Sequence, residues 1–261
     1  MERPEKVLIN GDSLGGEKMR IKIEFETRNE YLPIDYRRKY LSYLKKAIDE
    51  YNHDLYIALY GEGLTSKVFC LSIYFPPKVI IAKDQVVLHS KRLQVTFTTR
   101  DLLLGIHLVN AHMARVNKWF PLADSGNELK AVSIIKAEEV TITTNVVHFK
   151  ILSPLVIRDH DEADGRDWYL TFGDDDFERV WKRNLTTELQ NVFRRDVSRD
   201  IEALKIKSID LRKTVVKNYS IYIACTIGSF VLEGENYLLD YLYKSGIGSR
   251  RAMSFGCVDI M

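Results

Sequence analysis

Met19-Arg20-Ile21-Lys22-Ile23-Glu24-Phe25-Glu26 alternates apolar and polar side chains at every step. That is the period of a strand with one buried and one solvated face. Beyond Pro33, Leu41, Leu44, Ile48 and Tyr51 recur at helical spacing and form one apolar stripe, predicting a helix over 35–52. Residues 67–75 are apolar and β-prone and are stopped by Pro76-Pro77, which reads as a second strand. A strand over 88–98, a helix over 101–119 and a closing strand or pair over 132–144 complete the order β-α-β-β-α-β, the ferredoxin-like unit.

A similar order recurs downstream. Residues 146–156 read as a strand, and Asp174-Asp175-Asp176 place acidic groups at the positive end of a helix reaching Arg195. Segments 205–211 and 214–228 read as a strand pair, 237–244 as a helix and 255–260 as a final strand. The expectation is an α+β chain of tandem ferredoxin-like domains, 19–143 and 144–261, although no residue-level repeat is visible. The boundary is expected near 140–146, after the linker-like stretch 121–127 and the strand that follows it. Residues 1–18 lack periodicity. Gly15-Gly16-Glu17-Lys18 would be encoded by purine-rich codons resembling a ribosome-binding site, so Met19 is expected to be the true start.

With 261 residues, 46% of them apolar and 28% charged, the chain is long enough for one large or two small domains. A net charge of +2 excludes a strongly basic protein but not a local basic stripe. No apolar run reaches membrane-spanning length and no leader pattern is seen. Cys70, Cys225 and Cys257 lie apart among apolar neighbours, as buried thiols of a cytoplasmic protein do, and not as a disulfide or zinc framework.

The tail Gly246-Ile247-Gly248-Ser249-Arg250-Arg251-Ala252-Met253-Ser254-Phe255-Gly256 lies between the last helix and the last strand. Free N–H groups in such a turn can form an anion nest, with Arg250 and Arg251 as phosphate donors. The same residues also suit a helix C-cap followed by a tight turn. The order helix-loop-strand and the missing Gly-Lys-Ser/Thr exclude a nucleotide P-loop.

Three motifs together resemble one family: this tail, the Ser-Pro strand Phe149-Lys150-Ile151-Leu152-Ser153-Pro154-Leu155-Val156, and Leu32-Pro33-Ile34-Asp35-Tyr36 before the first helix. The helical stretch ending in Arg183-Asn184-Leu185 fits the same pattern. The chain resembles the CRISPR-associated endoribonucleases that process precursor CRISPR RNA (Cas six type, RAMP superfamily) over 19–261. The resemblance implies metal-independent cleavage of CRISPR repeat RNA to give mature guides. The substrate 2′-OH would attack, leaving a 2′,3′-cyclic phosphate and a 5′-OH. It implies no cofactor, repeat RNA as partner, a CRISPR effector complex as a further one, and a monomer or homodimer. A RAMP-type subunit that caps guide RNA without cutting it is the alternative.

Relatives carry a histidine in the loop after the first helix and a lysine at the next strand. Here Tyr60 occupies the histidine place and Lys67 matches the lysine. The candidates are Lys67 for charge stabilisation, Tyr60 as acid or positioning hydroxyl, and His53 as a displaced imidazole, taken in that order. Arg38, Lys45 and Lys46 of the first helix, Arg212 and Lys213 of the strand pair, and Gly246, Gly248, Arg250, Arg251 and Gly256 of the tail are the expected RNA contacts; a solvated surface is the other reading of these charges. His107 and His112 lie about 140° apart around a helix and do not share a metal-binding face. His148 reads as structural. The acidic stretch 159–165 fails the calcium-loop pattern because its fifth position is Ala163.

Overall fold

The computed structural model describes residues 19–61, 67–161, 164–219 and 221–261. The expected start at Met19 concerns residues 1–18, which lie outside this set, as do Gly63 and Ala163. β1 (Met19–Thr27) buries Ile21, Ile23 and Phe25, as its alternation requires. After the short β2 (Tyr31–Pro33), α1 (Tyr36–Tyr51) lays Tyr43, Leu44, Ala47 and Ile48 into the core. Asn52 interrupts the helix with extended backbone. Its side chain accepts from the Leu55 N–H at 2.9 Å, capping a second helix, α2 (His53–Tyr60).

The first domain continues with β3 (Phe69–Tyr74), β4 (Val79–Ile81), β5 (Gln85–Leu88) and β6 (Arg92–Thr99). It closes with α3 (Leu102–Met113), capped by Asp101, then β7 (Trp119–Leu122) and β8 (Asn127–Lys136). Its main sheet runs β3-β6-β1-β8-β7, antiparallel throughout, while β2, β5 and β4 form a small sheet of their own.

The second domain comprises β9 (Val146–Ile151), β10 (Ile157–His160), β11 (Asp167–Leu170), α4 (Phe177–Phe193), α5 (Ser198–Glu202), β12 (Lys205–Ser208), β13 (Arg212–Asn218), β14 (Ile221–Ile227), β15 (Ser229–Glu233), α6 (Asn236–Ser245) and β16 (Val258–Ile260). Its sheet runs β12-β15-β9-β16. Counting only the strands of the β-α-β-β-α-β frame, both sheets have the order second-third-first-fourth. The protein is therefore α+β, with tandem ferredoxin-like domains.

Five segments differ from the periodicity reading. The strand expected over 88–98 breaks at Lys91, whose φ of 52° turns the chain from β5 in the small sheet into β6 in the main one. The helix expected to reach 119 ends at Met113, and Trp119 starts β7. Residues 121–127, read as a linker, are the turn of the β7–β8 hairpin. The long strand expected over 214–228 lies within a β13–β14 hairpin inserted between β12 and β15, so β12 pairs with β15 instead. The final strand is only Val258–Ile260, because the loop before it is tied elsewhere.

Each domain has its own apolar core. The seam between them is polar. The Arg20 guanidinium, buried at 2% exposure, donates to the Val258 carbonyl at 3.0 Å and pairs with Asp259 at 3.4 Å. The Thr98 hydroxyl donates to the Lys244 carbonyl (2.9 Å) and the Ser153 hydroxyl to that of Leu71 (3.2 Å). All three cysteines are free and buried, and Cys70 donates to the Phe255 carbonyl across the seam.

His112 is fully buried under α1, 3.1 Å from the Tyr40 hydroxyl and with Nδ1 2.6 Å from the Leu108 carbonyl. Nδ1 therefore carries the proton and Nε2 accepts. Burial lowers its pKa from 6.5 to about 4. Because the unfolded chain binds this proton more readily, stability present above pH 6.5 is lost as pH falls towards 4. The loss at pH 4 is roughly 3 kcal/mol. Denaturant titrations of wild type and His112→Gln across this range should show the steeper acid loss in wild type.

Candidate functional site

Tyr60 ends α2 and its ring is the hub of the cluster. Lys45 from α1 and Lys67 ahead of β3 each place their ammonium 4.9 Å from its centroid. Tyr56, one helical turn earlier, lies 5.6 Å away. A cation over an aromatic face is held by the ring quadrupole, so two lysines that would repel in water are kept together. Their proximity has a chemical result: burial, then the charge of Lys45, lowers the Lys67 pKa below the ordinary lysine value.

The Tyr60 hydroxyl is buried, and no hydrogen-bond partner reaches it among the described residues. Desolvation raises its pKa well above the ordinary tyrosine value of 10. Tyr60 is thus a proton donor or a scaffold and cannot act as a base near neutrality.

His53 is placed elsewhere. It opens α2 instead of ending α1, seven residues and about 10 Å of helical rise from Tyr60. Its ring is exposed, stacks on Tyr56, and holds Asp49 at 2.6 Å through Nδ1. The three expected catalytic residues therefore separate into a Lys67–Tyr60 pair and a distant His53. Lys45, expected only to touch RNA, joins the pair instead. Sequence spacing alone could not show that α1 and the strand entry approach the same ring.

The second domain reaches this cluster through the β13–β14 hairpin. Tyr219, at the hairpin turn, lies under the Arg38 guanidinium (5.9 Å) of α1, the helix that also carries Lys45. Tyr219 was not among the expected site residues. On the outer strand face Lys213 is exposed, Lys217 is half-buried, and Tyr222, paired with Lys217, is 69% exposed. Arg212 is exposed and 4.0 Å from Asp210. On α1, Arg38 also pairs with Asp35 at 2.8 Å and Lys46 with Glu50 at 3.4 Å.

The glycine-rich tail is tied into the protein through its own backbone. The Gly246, Ile247, Ser249 and Gly256 N–H groups donate to the carbonyls of Leu242, Gly256, Val156 and Pro154, so they face protein and not an anion. Gly246 and Gly248 have φ of +80° and +81°. A Cβ at Gly248 would lie 2.4 Å from the Val156 carbonyl oxygen, and one at Gly246 would strike Cys70. These glycines fit close packing and left-handed turns.

Arg251 is buried against Glu188 and bonds the Gly246 carbonyl. Arg250, itself in the left-handed region, holds the Tyr169 hydroxyl at 2.6 Å and Asp167 at 3.4 Å. Both arginines thus have protein partners, and the tail acts as a buckle joining α6, α4 and the β10–β11 hairpin. Of the remaining histidines, His107 meets Tyr51 at 3.2 Å, and His148 is exposed on β9.

Two ferredoxin-like domains and a cationic aromatic cluster on the first of them can be set beside proteins of known structure. Residues 136–260 match the family model described as "CRISPR associated protein Cas6, C-terminal". The C-terminal half of the chain is therefore similar to the Cas6 C-terminal domain, and the chain as a whole shares its fold with solved Cas6 and RAMP structures. It superposes on a Cas6-related protein from Pyrococcus furiosus with a TM-score of 0.80 at 19% identity, covering 94% of this chain and 99% of that one. A structure described as a RAMP protein binding different RNA substrates gives 0.79 at 18%, covering 93% and 99%. A Cas6 product complex gives 0.71 at 15%, covering 94% and 100%. No curated protein matches the sequence.

Proposed function

We propose that this protein cuts CRISPR repeat RNA by attack of a 2′-oxygen on the adjacent phosphorus, without a metal ion. The observation that carries the reading is the convergence of Lys45 and Lys67 on Tyr60, beside a hairpin with an exposed basic face. In this reaction the new bond joins O2′ to phosphorus and the P–O5′ bond breaks. The 2′-OH loses its proton and O5′ gains one. The two ammonium groups stabilise the extra negative charge on the phosphorane oxygens. Lys67, made more acidic than a free lysine, also gives its proton to the leaving O5′. The 2′-OH proton passes to solvent hydroxide, and in-line positioning by the hairpin supplies a further share of the rate.

Purified protein with its own repeat RNA in excess EDTA should give one cut, with 2′,3′-cyclic phosphate and 5′-OH ends. A requirement for added magnesium would sink the mechanism. Since Lys67 acts protonated, the rate should climb with pH while the 2′-OH is being deprotonated. It should then fall as pH rises through the Lys67 pKa, at a value below 10.5. Single-turnover rates across pH 6–11 locate that limb.

The position of His53 favours a second reading. With the one nearby imidazole bound to Asp49 and away from the lysine pair, the chain could serve as a RAMP subunit that holds guide RNA without cutting it. Tight binding with no cleavage in the same assay is its signature. The family resemblance also supports repeat RNA as partner and assembly with an effector complex, as monomer or homodimer.

A further inference from the structure

We infer that Tyr219, carried by the second domain, is a base-stacking platform that seats one nucleotide of single-stranded RNA beside the Lys45–Lys67 pair of the first. This rests on the reading of that pair as the place where RNA phosphate is held.

The backbone supplies the first argument. Tyr219 has φ of 54°, in the left-handed region that residues other than glycine rarely adopt. Glycine or asparagine would hold the turn with less strain, so the aromatic side chain is kept there against the local preference of the chain.

The side chain supplies the second. The ring is 45% exposed and lies 5.9 Å from the Arg38 guanidinium, so it presents aromatic surface beside a cation. Preceding it, Asn218 is 2% exposed and paired with Ile221 in the ladder, which sets the base of the turn. An accessible ring next to a fixed cation is how proteins hold an unpaired base and its phosphate, because every base offers a π-face.

Position supplies the third. Tyr219 comes from the second domain onto α1 at Arg38, and the same helix carries Lys45, whose ammonium shares the Tyr60 ring with Lys67. A base on Tyr219 would bring its own phosphate towards the lysine ammonium groups. The site is therefore incomplete in either domain alone.

The test uses the full chain and a repeat RNA in which the 2′-OH at the cut is replaced by hydrogen, with 2-aminopurine at each nucleotide flanking the cut in turn. Wild type should quench one label strongly. Tyr219→Asn, which tolerates the left-handed turn, should remove that quench and weaken binding about tenfold, as loss of one stacked base does. Tyr219→Trp should restore both. Equal quench and affinity in Tyr219→Asn and wild type would overturn the platform. Cleavage of the unmodified RNA is measured in parallel. Quench without cleavage in wild type would overturn the enzyme reading and leave the platform standing; cleavage with an unaltered Tyr219→Asn profile would do the reverse.

Discussion

Alanine at Lys67 is expected to slow single-turnover cleavage of repeat RNA by about a hundredfold, the usual effect of removing one donor that meets transition-state charge. RNA affinity should fall by no more than about fivefold, because one half-exposed ion contact is worth up to about 1 kcal/mol. The asymmetry follows from where Lys67 sits. Its ammonium is held on the Tyr60 ring and is partly desolvated before RNA arrives, so little reorganisation remains for the reaction itself. Arginine at the same position should restore binding more than rate, since a guanidinium keeps its charge but does not give up its proton. Lys45→Ala should release the repulsion that acidifies Lys67 and move the alkaline limb of the pH profile upward. Equal losses of rate and affinity in Lys67→Ala would mean that the residue only binds.

Gly256→Ala should be the most destabilising single-methyl addition in the tail. A Cβ there would lie 1.9 Å from the Ile247 carbonyl oxygen, at a φ of +69° that alanine resists. The Ile247 N–H already bonds the Gly256 carbonyl at 2.8 Å, so the two strands of the loop cannot move apart without breaking that bond. Left-handed strain of about 1–2 kcal/mol and overpacking of about 1–3 kcal/mol together predict a loss of about 3 kcal/mol. The melting temperature should drop by about 10 °C. Gly126→Ala is the control: its φ is +63°, but nothing lies within 4 Å of an added methyl, so only the strain remains. At a temperature where the variant is folded, Gly256→Ala should bind RNA nearly as wild type does. A large affinity loss at unchanged melting temperature would return the tail to anion binding.

Periodicity made β1, α1 and α6 legible, because each buries one regular face. It could not mark breaks made by residues that merely tolerate an unusual φ. Lys91 and Tyr219 both turn the chain at positive φ without glycine, so one strand was expected where two exist at 85–99 and again at 212–227. Strand pairing was hidden for a different reason: β12 meets β15 across an inserted hairpin, and nothing in the local pattern announces an insertion.

The site was half legible. Lys67 and Tyr60 were reached through family spacing. Lys45 and Tyr219 came from a helix and a hairpin whose approach is tertiary. The tail has the composition of a phosphate loop, and its tertiary partners were hidden from the sequence: Arg251 is buried against Glu188, 63 residues away, and Arg250 meets Tyr169 and Asp167. Composition carries no record of burial.

The two sheets share one further property. Both receive extra chain between the second and third strands of the frame, β4–β5 in the first domain and β13–β14 in the second. Lengthening such a connection costs little, about 0.6 kcal/mol for each doubling of a flexible loop. Neither main sheet, β3-β6-β1-β8-β7 or β12-β15-β9-β16, takes a strand from that segment. The seam held by Arg20, Thr98 and Ser153 lies outside the segment as well. Exchange of the outward-facing residues of 212–227 therefore leaves the ladders of both main sheets intact, while the buried Ile223 and Cys225 stay packed on Val156 and Phe255. On the proposed function, the outer face of the hairpin is where the choice of RNA could change while the lysine pair keeps its place.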